Sequence, residues 1–222
     1  MRSHDDEGTV GLRRVIALIG AGLAAVGVFA GCADSGYHYV KSSSDRTYFK
    51  VPNQWTLFDE EEIIDGLNRN LTDDEREEEL DQTWRVAFDA DPNPTLRHLG
   101  NTKATSPAGF AVVRNLSFDD ADVLSNQALR NYFFDVDAAM ENQTADIVSY
   151  EELQFDGGFH GSHLVANLAT ENGRVMTIDQ TVLVDQATTK VYALLVSCSN
   201  VCYEEHSDDI KDVVDSWTVR AK

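Results

Sequence analysis

The chain has 222 residues, with 18 Lys and Arg against 38 Asp and Glu, a formal net charge of −20 at pH 7. Nucleic acid is not an expected partner of such a surface, because binding it rests on neutralising phosphates with Lys and Arg. The same charge repels anionic lipid headgroups, so attachment to a membrane is expected to come from acyl chains rather than from a basic patch.

The first 31 residues read as an export signal. Arg13 and Arg14 precede a run of 16 apolar, Ala and Gly residues, Val15 to Ala30. A spanning helix needs about 20 residues, whereas a shorter core followed by small residues and a cut is the signal-peptide pattern. Val28-Phe29-Ala30-Gly31-Cys32 resembles a lipobox, in which Cys32 receives a thioether-linked diacylglycerol before cleavage. Phe29 departs from the usual aliphatic residue there, and an uncleaved helical anchor is the competing reading. Both place the remainder outside the cytoplasm, and two acyl chains suffice for stable anchoring. Arg13-Arg14 is compatible with twin-arginine export, but Leu12 stands where Ser or Thr is expected, so the route stays open.

Residues 1–31 contain three basic and three acidic side chains, so the following 191 residues carry the whole charge, as 15 basic against 35 acidic groups. A chain of that length buries roughly 70% of its unfolded surface in one domain. Residues 32–44 read as a lipidated, Ser-rich tether and residues 45–222 as a single domain. Its first strand is expected at Thr47 to Val51, ended by Pro52 and followed by Trp55. Asp59 to Leu71 reads as a helix, with Glu60, Glu61 and Glu62 at its positive end and Ile63, Ile64, Leu67 and Leu71 on one face. Thr72 and Glu75 form a capping-box pair for an acidic helix reaching Gln82. Trp84 to Phe88 alternates as a strand, Asp91-Pro92-Asn93-Pro94 forces a loop, and Gly109 to Leu116 is a second strand. The longest helix is expected from Asp120 to Glu141. Four strands follow, at Val148–Phe155, His163–Thr170, Arg174–Asp185 and Lys190–Cys198, joined by turns at Gly157-Gly158, Asn172-Gly173 and Asp185–Thr189. A last helix covers Asp208 to Ser216. Consecutive hairpins between helices point to an α+β class: an antiparallel β-sheet flanked by helices.

The opening Tyr48-Phe49-Lys50-Val51-Pro52-Asn53-Gln54-Trp55, the long middle helix, the run of hairpins and the closing Ile210 to Val219 resemble the PsbP-like family of α/β/α sandwiches. Within it, the chain is similar to small actinobacterial lipoproteins. The resemblance extends over nearly all of residues 45–222. It implies a fold and a non-enzymatic accessory or binding role, and it brings no catalytic residues across.

Cys198 and Cys202 lie four apart in what would be an oxidising compartment, where an even pair indicates a disulfide. His206 completes Cys-x3-Cys-x3-His as a rival metal reading, one ligand short of a structural zinc site. Gly20-Ala21-Gly22-Leu23-Ala24-Ala25 matches a dinucleotide fingerprint but sits inside the signal core, without the strand and helix that give it meaning. Asp89-Ala90-Asp91-Pro92-Asn93 begins like a calcium loop, yet has Pro94 where Gly and Gly100 where Glu are required. His160 and His163 point to opposite faces of a strand and could share a metal only if Gly161 bends the chain. No cofactor, catalytic residue or metal ligand is therefore assigned.

The expected function is that of a lipid-anchored, non-catalytic binding or accessory domain on the extracytoplasmic face of the cell membrane. Its ligand would be a small apolar molecule in a cleft between the sheet and the long helix, or a basic protein. The alternatives are a cell-envelope hydrolase using carboxylates or a His160/His163 metal, and a structural spacer. Mass spectrometry of the mature chain is expected to find a diacylglyceryl Cys32 as the first residue, and a non-reducing digest to yield one cross-linked Cys198–Cys202 peptide. An unmodified Cys32 thiol, or an intact leader, would remove the anchor.

Overall fold

The two most thoroughly buried segments of the chain, Val175–Val184 and Lys190–Ser199, pair in the middle of a seven-stranded antiparallel sheet. The computed structural model describes residues 36–67, 71–101, 103–170 and 173–221; the expected signal, Cys32 and Asn172 lie outside them. The sheet order is β3 (Thr56–Phe58), β4 (Thr83–Asp89), β5 (Ala108–Asn115), β9 (Lys190–Ser199), β8 (Val175–Val184), β7 (His160–Ala169) and β6 (Ala145–Gln154), every neighbouring pair antiparallel. A second sheet has the order β1 (Tyr37–Ser42), β2 (Thr47–Pro52) and β10 (Thr218–Val219). Both faces of β8 and β9 are covered, so burial runs through them without alternating; β9 is largely apolar, whereas β8 buries Thr177, Asp179, Gln180 and Thr181 among its apolar residues.

One face of the large sheet packs on the small sheet and on α7 (Ser207–Ser216): Val40, Phe49 and Val51 meet Val86, Phe88, Ala111 and Leu194, with Ile210 and Val213 of α7 in the same cluster. The opposite face carries α1 (Glu60–Leu67), α2 (Asp73–Gln82), α3 (Phe118–Val123), α4 (Asn126–Arg130) and α5 (Val136–Glu141). Leu129 of α4 packs on Val112, Val182 and Ala193, and Val136 of α5 on Leu164 and Ile178. Arg85, 8% exposed, ties α1 and α2 to β4 by facing Glu60 at 3.6 Å and Glu79 at 2.6 Å. Burial pushes the Glu60 carboxyl up to about 7 against the pull of that guanidinium. The layers make an α/β/α sandwich of the α+β class, as expected.

The Thr72 capping box forms and opens α2 as its sequence requires. Trp84, Val86 and Phe88 share a face of β4, also as expected. Three expectations need correction. The long helix from Asp120 to Glu141 is instead α3, α4 and α5. Ser125 caps Ala128 and Asp135 caps Ala138, each satisfying an N–H that an uninterrupted helix would have bonded internally. The corner between α4 and α5 is closed by Asp137, which accepts from both Nε and Nη2 of Arg130 at 2.8 Å and from Gln127 and Asn131; the Arg130 hydrogen bonds lead in holding its carboxyl at about 2.

Within the expected tether of residues 32–44, Tyr37–Ser42 is instead strand β1, bonded to β2 from Tyr37↔Pro52 to Ser42↔Thr47. The sheet is two sheets, since Thr218 and Val219 pair with β2 and not with the large sheet. The sequence reading also missed β3 and a short helix, α6 (Asn200–Glu205). β6 forms one outer edge; its register with β7 slips between Ile147 and Ser149, and it carries Glu151 and Glu152.

Phe88 decides how closely the sheets approach. Its ring lies 6.0 Å from that of Phe49 and 5.8 Å from that of Trp55, centroid to centroid. Phe88 is paired with Gly109 of β5, where a Cβ would run into the Phe88 ring and come within 2.7 Å of the Leu195 carbonyl oxygen. Gly109→Ala is expected to destabilise by about 1–3 kcal/mol through overpacking. In urea unfolding, adding Phe88→Leu to Gly109→Ala should cost less than Phe88→Leu does in the wild type; strict additivity would refute the clash.

Candidate functional site

The most distinctive recess lies on the small-sheet side, where β6, β7 and β8 extend past α7 and β10. The hairpin between β6 and β7 turns through Gly157 and Gly158 at φ +82° and +80°, a region that side chains resist. That turn brings Phe155 and Phe159 together, with Phe155 N–H donating to the Phe159 carbonyl at 2.9 Å. Phe159 is fixed edge-to-face on Tyr192, their centroids 5.6 Å apart. Trp217, where the chain leaves α7 for β10, donates its indole N–H to Thr47 Oγ1 at 3.0 Å, so its polar atom is satisfied while the ring stays on the apolar side. Phe155, Phe159, Leu153, Leu183, Trp217 and Val219 line a cleft of about 290 Å³, with His163, Thr181 and Asp215 as polar groups.

His163 is the chemically particular member. Its Nε2 lies 2.8 Å from Asp179 Oδ1, and the other oxygen of Asp179 accepts from the Tyr203 hydroxyl at 2.7 Å. Asp179 is 5% exposed, so its charge is paid for by these two partners. The hydrogen bond to Asp179 raises the His163 pKa above its ordinary value, against the opposing effect of burial; the charges of Asp179, Glu151 and Asp215 add to it. Burial first, then the Asp179 carboxylate, pushes the Tyr203 hydroxyl up, so it remains a donor. With Nε2 engaged by Asp179, the His163 ring is held in one orientation at the wall of the cleft. The cleft thus combines an apolar body with a few oriented polar groups, the usual make-up of a small-molecule site.

His160 and His163 do not come together. β7 pairs with β8 in unbroken register from His160↔Val184 to Ala169↔Val175, so Gly161 makes no bend, and the two imidazoles stay on opposite faces. Among the described residues, no group of three or more His, Cys, Asp or Glu is placed to hold a metal. The Asp89 carboxylate, read at first as the start of a failed calcium loop, clips its own loop: it accepts from Asp91 N–H at 3.0 Å and Thr95 N–H at 2.8 Å and pairs with His98 Nδ1 at 2.7 Å. The sulfurs of Cys198 at the end of β9 and Cys202 in α6 are 2.21 Å apart, with Cα atoms 6.0 Å apart. The rival ligand His206 is instead the junction of α6 and α7.

The expected cleft between the sheet and the long helix exists in reduced form. Phe133 and Phe134, in the corner between α4 and α5, cover Phe110, Leu195 and Gly109 around a recess of about 240 Å³. The larger aromatic cleft was not foreseen. Its signal in the sequence was the apolar pair Phe155 and Phe159 flanking a Gly-Gly turn, where a solvent-exposed hairpin would carry polar residues.

No family model matches the chain, and no curated protein matches it. Among solved structures, it is similar to the cyanobacterial PsbP protein (CyanoP) of Synechocystis sp. PCC 6803, at 14% identity and TM-score 0.51, over 88% of this chain and 99% of that one. The fold is PsbP-like. Weaker likenesses run to LpqN, a protein involved in cell envelope biogenesis of Mycobacterium tuberculosis (15% identity, TM-score 0.41, 82% of this chain and 90% of that one). Another is to the Ran-binding protein Mog1p of Saccharomyces cerevisiae (9% identity, TM-score 0.41, 83% and 96%). At such identities the PsbP-like relationship concerns the fold, and the aromatic cleft is read from this chain's own residues.

A raised His163 pKa makes stability depend on pH with a definite sign. The charged His163–Asp179 pair contributes fully below about pH 6.5, the unfolded value, and that increment fades as pH rises through the folded value. NMR titration is expected to place His163 above an ordinary histidine, and Asp179→Asn to bring it down. A titration unmoved by Asp179→Asn would mean that the pair does not control it.

Proposed function

We propose that this chain is an exported lipoprotein, held through lipid on Cys32 at the extracytoplasmic face of the membrane, whose PsbP-like domain binds a ligand without transforming it. The lipobox-like Val28 to Cys32 supports the anchor, and the aromatic cleft supports the binding. The cleft is the observation that carries the reading, because a structural spacer needs no such recess. Its shape and lining fit a small apolar or aromatic molecule with one polar group to meet His163. The disulfide between Cys198 and Cys202 belongs to the same proposal, since an exported protein meets an oxidising environment.

A second partner class has its own support. α2 places seven carboxylates in ten residues and has no buried residue, an acidic ridge suited to a basic protein. The two sites are separable by experiment. With the acylated protein, the fluorescent aromatic probe anilinonaphthalene sulfonate is expected to bind saturably and quench tryptophan emission. Leu153→Trp, which fills the cleft, should weaken that binding by at least about tenfold, equivalent to 1.4 kcal/mol. Unsaturable binding, or an affinity indifferent to Leu153→Trp, would sink the cleft as a ligand site. Glu77→Lys with Glu78→Lys should leave the probe unaffected while abolishing capture of a basic protein by cross-linking in intact cells.

A further inference from the structure

Residues 36–58 reverse the sign of the chain. They hold Lys41, Arg46 and Lys50 against one carboxylate, Asp45, a net +2 in a protein of −20. That carboxylate is withdrawn: 9% exposed, it pairs with Lys190 Nζ at 2.5 Å and accepts from Ser42 Oγ at 2.6 Å. β1 and β2 contain no Asp or Glu at all. Strand alternation sends Val40, Phe49 and Val51 into the core and leaves Tyr39, Lys41, Tyr48 and Lys50 on the outer face. Tyr39 is 58% and Tyr48 37% exposed, and their rings stack with centroids 6.2 Å apart. Lys50 lies 4.2 Å from the centre of the Tyr37 ring and 3.3 Å from Asp212, the carboxylate that α7 brings to this face.

Tyrosine beside lysine is the composition that settles at the headgroup level of a bilayer, the ring in the interface and the ammonium toward anionic lipid. Chain length adds an independent constraint. Five residue steps separate Cys32 from Tyr37, a span of at most about 18 Å when fully extended. Acyl chains on Cys32 therefore hold β1 close to the headgroups, and β1 carries this face together with β2.

We propose that the outer face of the β1–β2–β10 sheet is the surface on which the anchored domain rests against the bilayer. Tyr39 and Tyr48 lie in the interface, and Lys41 supplies positive charge toward anionic lipid, Lys50 being paired with Asp212. The inference rests on the Cys32 anchor proposed above. It eases the apparent conflict between a strongly acidic protein and a negatively charged membrane, because β1 and β2 contribute no carboxylate to this face and Asp212, which α7 brings there, is paired with Lys50.

The test uses the acylated full chain on vesicles of phosphatidylethanolamine and phosphatidylglycerol, followed by sedimentation and by hydroxyl-radical footprinting. The reference is the same chain after a lipase has stripped its ester-linked acyl groups and released it. Expected is co-sedimentation, with Tyr39 and Tyr48 oxidised several-fold more slowly on vesicles, while Phe118 and Phe155 react as in the released protein. In a Tyr39→Ser, Lys41→Glu variant the protein should still sediment and Tyr48 should regain its reactivity. Sedimentation with Tyr39 and Tyr48 fully reactive would overturn the orientation and leave the anchor standing; failure to sediment would overturn both. Protection that persists in the released protein would assign the face to a second copy of the chain, and Tyr48 still shielded in the variant would likewise refute the proposal.

Discussion

The contact between Phe88 and its surroundings sets the spacing from which the other layers follow. Gly109 gives the ring room on the large sheet, and Phe49 and Trp55 close over it from the small sheet. With that distance fixed, Val86, Ala111 and Leu194 meet Val40 and Val51, and Ile210 and Val213 of α7 complete the seal. The small sheet is too short to cover β6 and β7, and the uncovered remainder becomes the aromatic cleft. The candidate site is therefore a by-product of two sheets of unequal width, lined where the larger one outruns the smaller.

Electrostatics is arranged to keep a heavily acidic chain folded. Carboxylates are placed at helix starts, as in α1, α2 and α7, where the helix dipole favours them. Those that are buried serve as connectors: Asp179 joins β8 to His163 and Tyr203, Asp45 joins the β1–β2 turn to Lys190, and Asp89 joins the end of β4 to His98. Each buried charge has a partner of opposite sign or a donor, without which its desolvation would oppose folding. The cleft's His163 is oriented by one of these connectors, so Asp179 links the folding electrostatics to the cleft wall.

Much of the fold was legible because strong local signals agreed with the tertiary outcome. The alternation of Trp84, Val86 and Phe88, the Thr72–Glu75 box and the Ile210, Val213 spacing each name an element that the structure contains. The segment from Asp120 to Glu141 misled because Leu124, Leu129, Phe133 and Val136 do repeat at helical spacing. Ser125 and Asp135 interrupt it by side-chain caps, a local competition that hydrophobic periodicity does not record. β1 was hidden by its lack of apolar period: only Val40 and Ser42 of its residues are buried, the rest being exposed or half-buried. The cleft was harder still, since Leu153, His163, Leu183 and Trp217 are brought together only by sheet order. The pairing of β6, β7 and β8 with one another was predictable, but the position of β10 beside β2 was not.

The irregular outer strand has a consequence for how copies of the chain meet. Ten residues of edge backbone at β6 would be a template for another chain to add to. The slipped register at Ile147 and Ser149 breaks the straight run of hydrogen-bonding groups, and Glu151 and Glu152 set like charge against like in any self-pairing. Molecules meeting edge to edge at β6 would thus lack the straight, charge-free ladder on which fibrils zip together.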